Sequence, residues 1–175
     1  MASQLKVDQL LNSSGGTFDG SQLGNVGKVL QVKHVNSSAT RYTISAQELT
    51  SIPELSITFT KLKANSSLLL LANIASSATH VASYGFQSNG SNLGGSGNTN
   101  VSSGAIATQY WGTSTEDYME QTSYLYLYSN GPTTATYTAT AASSWNGSLY
   151  NLYINDRVSN DMRSTSTFTI MEIGA

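Results

Sequence analysis

Ser164-Thr165-Ser166-Thr167-Phe168-Thr169-Ile170-Met171-Glu172-Ile173-Gly174-Ala175 alternates on a period of two, with Phe168 and Ile170 on one side and Thr167, Thr169, Met171 and Ile173 on the other. The pattern predicts a β-strand with one face in a core. A loose chain end frays, whereas one paired between neighbouring strands closes a sheet, so this segment is expected to lie inside the fold rather than beside it.

Two other stretches extend the same sheet. Leu68-Leu69-Leu70-Leu71-Ala72-Asn73-Ile74 is apolar on both faces, which predicts a central strand covered on both sides, by a second sheet and an overlying loop or by another subunit. In Ser123-Tyr124-Leu125-Tyr126-Leu127-Tyr128-Ser129, tyrosines share one face and leucines the other. The expectation here is that Leu125 and Leu127 pack inside. Tyr124, Tyr126 and Tyr128 then form a wide outer patch that a second copy of the chain covers, unless they lie on a solvated face with their hydroxyls wet.

The remaining segments read as short strands between turns. Val29–Val35 alternates, with Arg41–Ile44 as a candidate hairpin partner. Glu48–Pro53 reads as a loop because proline is barred from a central strand, and Leu55–Leu62 follows as a strand. His80–Phe86, Ala105–Trp111, Thr134–Ala142 and Leu149–Ile154 complete the set. Asn146-Gly147 marks a tight hairpin turn, and the Gly, Asn and Ser stretch from Ser88 to Gly104 reads as an apical loop. Past the first residues no helix is indicated. The fold class predicted is all-β, a sandwich or jelly roll over 28–175. Residues 1–27 form an N-terminal arm: Leu5, Val7, Leu10 and Leu11 are apolar handles among glycine hinges, suited to docking on something else.

Composition narrows the function. The chain has 175 residues, 39% of them hydrophobic but only 10% charged, and Ser, Thr and Asn make up about a third. Its surface is therefore hydroxyl and amide rather than ionic. A net charge of -2 with eight scattered Lys and Arg residues offers no basic stripe for nucleic acid. With no cysteine, disulfides and thiolate metal sites are excluded. The longest apolar run, Leu68–Leu71, is too short to span a bilayer, and no signal peptide opens the chain, so no membrane is expected and synthesis is placed in a cytoplasm.

Catalysis lacks its usual parts. His34 and His80 are the only histidines, both in strand patterns, and no Gly-x-Ser-x-Gly elbow is present. Glu116, Asp117 and Glu120 lack the spacing of a calcium loop. The expectation is a non-enzyme without metal or cofactor. Binding has better candidates: Tyr110, Trp111 and Trp145 lie beside polar turns, where an exposed aromatic ring stacks on a sugar, although tryptophans also plug the ends of sandwiches.

Leu5-Lys6-Val7-Asp8-Gln9-Leu10 with Asn12-Ser13-Ser14-Gly15-Gly16, then Gly27-Lys28-Val29-Leu30-Gln31-Val32, and finally Ser166–Ile173 together resemble a group of tailed-bacteriophage virion proteins. These are small fibre and decoration proteins with a C1q- or TNF-like jelly roll. The resemblance covers both ends and the general strand layout. It implies a homotrimer on the virion with the Tyr124, Tyr126 and Tyr128 face as its trimer interface, assembled in the host cytoplasm, with the arm attached to capsid, neck or tail proteins and the outer loops facing the medium. A trimeric fibre or fibre tip whose loops contact the bacterial surface, with a surface glycan as one candidate partner, is the first expectation. A capsid decoration or cement protein is the second, and a lectin-like carbohydrate-binding module the third.

Overall fold

A computed structural model of the chain describes residues 27–37, 41–95, 103–111, 118–157 and 163–174. The arm residues Leu5, Val7, Leu10 and Leu11 lie outside the described residues, as do Glu116 and Asp117 of the acidic turn. Strands are β1 (Val29–Ser37), β2 (Tyr42–Ile44), β3 (Thr50–Thr60), β4 (Ser67–Ala78), β5 (Val81–Ser88), β6 (Ser91–Leu93) and β7 (Ala105–Tyr110). They continue with β8 (Glu120–Tyr128), β9 (Thr134–Ala142), β10 (Ser144–Trp145), β11 (Ser148–Leu149), β12 (Leu152–Ile154) and β13 (Ser166–Ile173). The fold is all-β, and the described strands pair antiparallel.

One sheet runs β1-β13-β4-β12-β2, with β8 on the other side of β4. The second runs β3-β9-β5-β6, with β7 also on β5. The closing strand is central as expected: β13 lies between β1 and β4, pairing Thr169 with His34 on one side and Leu71 on the other. Between the sheets lies one core, whose largest buried side chains include Tyr84, Tyr137, Phe59, Phe86 and Phe168. Alternation supplies it from both sides, with Leu68, Leu70 and Ile74 from β4, Leu55, Ile57 and Phe59 from β3, and Phe168 and Ile170 from β13.

Three sequence expectations are corrected. Arg41–Ile44 is not the partner of β1: β2 pairs with β12, far along the chain. Pro53 does not end a loop before β3 but sits within it. The strand is at the sheet edge and its register slips between Ser51 and Ser56, with Glu54 at φ 65, so the missing N–H breaks no ladder bond. The stretch after Ser88 is not all loop either. Asn89-Gly90, both at positive φ, turn β5 into β6, pairing Ser88 with Ser91.

The two outer faces differ in chemistry. On β3 and β9 the outward residues are paired hydroxyls: Ser56 with Thr138 at 2.7 Å, Thr58 with Thr136 at 3.0 Å, Thr134 with Thr60 at 3.1 Å. Those groups are satisfied both by each other and by water. The other sheet is apolar outside.

Candidate functional site

Register across β1, β13, β4 and β8 sets side chains in rows. Val32, Met171, Leu69 and Leu127 form one row, and His34, Thr169, Leu71 and Leu125 the next. Val29 and Ile173 extend the apolar end, while Asn36, Thr167, Asn73 and Ser123 close the polar one. Leu125 and Leu127 are 59% and 55% exposed, Val32 52%. At strand spacings of about 4.8 Å, four strands make a face about 15 Å wide. Val32 on β1 and Leu125 and Leu127 on β8 stand at the two sides of this face with the half-buried Met171 and Leu69 between them, so together they form a patch rather than scattered surface residues.

The orientation of β8 is therefore the reverse of that expected from its sequence. Tyr124 is 7% exposed, its ring tilted at 37° against Phe86 with centroids 4.8 Å apart, and its hydroxyl donates to the Gly85 carbonyl at 3.2 Å. Tyr126 and Tyr128 are half-buried against the same core. Burial pushes the Tyr124 hydroxyl well above its ordinary pKa, with Tyr84 adding to the shift, so it stays a neutral donor. The tyrosines form no outer seam. They fit inside because glycines stand beside them: a Cβ on Gly94 would meet the Tyr126 ring at 3.1 Å, and one on Gly131 would meet Tyr128 at 2.8 Å.

A recess of about 590 Å³ lies beside β8, with Leu71, Asn73, Ile106, Leu125 and Thr169 in its lining. Asn73 Oδ1 is buried there with no hydrogen-bond partner among the described residues. Within the described residues no three His, Asp or Glu side chains gather as a metal site.

The second constellation is aromatic and belongs to the end of the other sheet. His80, buried just before β5, has Tyr110, Trp145 and Tyr150 around its ring, at centroid distances of 5.0, 5.6 and 4.7 Å. Tyr110 and Trp145 also meet directly at 5.9 Å. Tyr110 arrives opposite Val81 on β7. Trp145 is carried by the β10–β11 hairpin, whose Asn146 and Gly147 take φ of 49° and 77° as its tight turn requires. Thus Tyr110 and Trp145 are brought together as candidate binding residues, but Trp111 is not with them. It packs half-buried on the core, with its backbone N–H donating to His80 O at 2.7 Å and its Nε1 without a hydrogen-bond partner among the described residues. Adjacent strand residues point to opposite faces, so Tyr110 and Trp111 part company. Sequence reasoning missed His80 and Tyr150 in this cluster. A position just after the Asn-Gly hairpin was the one signal for Tyr150.

The chain matches no protein-family model, and no curated protein matches it.

Proposed function

We propose that this chain is a non-enzymatic structural protein of a tailed-bacteriophage virion, a jelly roll that works as a homotrimer with the outer face of the six-stranded sheet as its subunit seam. The observation that carries the reading is the contrast between the two outer faces: one finished with paired hydroxyls, the other tiled with Val32, Leu69, Met171, Leu125 and Leu127. An apolar face of that extent is stabilised when another copy removes it from water, at roughly 25 cal/mol per Å² of apolar area. The virion assignment draws its support from the resemblance of Leu5–Gly16, Gly27–Val32 and Ser166–Ile173 to phage fibre and decoration proteins. In this reading the arm attaches the trimer to the particle and the sandwich faces outward.

Light scattering on the full chain tests the seam. Leu125→Lys with Leu127→Lys places charges on the apolar rows without touching the core, so the expected outcome is a folded monomer where the parent is a trimer. A parent that is already monomeric, or a double variant that keeps the parent mass, refutes the seam.

A further inference from the structure

We propose that the aromatic cluster of Tyr110, Trp145 and Tyr150 over His80 is a binding site for a neutral pyranose sugar. The proposal does not depend on the trimer or on the apolar sheet face, and either can fail without the other. Tyr110 is 57% exposed at the surface of the cluster, and the half-buried Trp145 indole meets it at an interplanar angle of 48°. Two tilted rings of this kind offer one flat floor and one wall. A pyranose presents a C–H face that stacks on an aromatic ring, leaving its hydroxyls at the edge. The same hairpin carries Asn146 and Ser148, and Asn151 follows it, all three exposed as polar groups for those hydroxyls.

The floor is held in place from beneath. His80 is 6% exposed and packs edgewise under Tyr110 and Trp145, so the rings have a fixed separation before a ligand arrives, which lowers the ordering cost of binding. Charge decides among ligands. None of the contributing segments, Thr79–Val81, Gln109–Trp111 and Ser144–Asn151, contains Asp, Glu, Lys or Arg. No Lys or Arg in these segments would pair with a sialic or uronic acid, and a quaternary ammonium, which aromatic rings alone can hold, is the competitor that the test separates.

The test uses the full chain with Trp111→Phe, which leaves Trp145 as the one indole reporter of the chain's two tryptophans. Methyl α-glucopyranoside, methyl β-galactopyranoside and N-acetylglucosamine are titrated against its emission, with saturation-transfer NMR in parallel. N-acetylneuraminic acid and tetramethylammonium serve as charged probes. The expected result is saturable millimolar binding of at least one neutral sugar. Tyr110→Ala should weaken it about tenfold, 1.4 kcal/mol, without changing the melting temperature. Trp145→Phe, which keeps a flat ring and is read by the NMR arm because it removes the indole reporter, should lose less. The proposal is overturned if no neutral sugar binds up to about 100 mM, if either charged probe binds more tightly than the sugars, or if Tyr110→Ala binds like the parent.

Discussion

Glu172 shows how much one carboxylate holds in this chain. It lies on β13, fully buried, on the inward side between Met171 and Ile173. Burial alone would raise its pKa, but four donors reverse the sign: the Leu62 N–H at 2.9 Å, Ser66 Oγ at 2.5 Å, Gln31 Nε2 at 2.6 Å and the Lys63 N–H at 2.9 Å. They bring it down from 4.5 to about 2. The carboxylate thereby ties the β3–β4 turn and β1 to the closing strand, and Lys61 Nζ, donating to Ser66 O and Gly131 O, braces the same turn. A depressed folded pKa stabilises the fold above the unfolded value and is lost as pH falls through the folded one. Stability should therefore decline between pH 4.5 and about 2. Glu172→Gln should lower the melting temperature at pH 7 and flatten its dependence on pH in that acid window. Parallel melting curves for parent and variant across the window would contradict this role.

At the scale of the element, β8 carries the clearest lesson. Its alternation identifies it as a strand with two distinct faces, and both faces are apolar enough to be buried. Which one turns inward depends on the room opposite, and that room is made by Gly94 and Gly131, remote in sequence or across a turn. Gly131→Ala puts a methyl 2.8 Å from the Tyr128 ring and 3.0 Å from the Tyr137 hydroxyl, so one of those rings must move. Overpacking of this kind costs about 1–3 kcal/mol, which urea denaturation of the variant should register. Parent-like stability would mean that the tyrosines sit more loosely than their burial indicates. Tyr126→Asp, by the same geometry, should damage folding, whereas Leu127→Lys should leave the fold intact and alter only assembly.

For the whole molecule, the position on the particle is a question of stoichiometry, and quantitative mass spectrometry of purified virions answers it. On the proposed function, a few dozen copies per particle are expected for a symmetric fibre or neck appendage, on the order set by tail symmetry. Near-equality with the major capsid protein would instead make it a decoration protein, and absence from virions would reject the virion reading altogether. The sequence by itself determined the all-β class, the central place of Ser166–Ile173, the two-sided apolarity of β4 and the Asn-Gly hairpin at Trp145, because each follows from a local period or turn chemistry. Only the tertiary structure decided which way β8 faces, that β2 joins β12, and that Asn155, at φ 61, ties Ser37 to Ser166 inside the fold. It also decided that Tyr110 meets Trp145 while Trp111 turns away. These contacts join residues from 11 to more than 100 positions apart. Period-two alternation tells how a strand divides its side chains, and only the neighbours that fill the space beside it determine which side becomes the core.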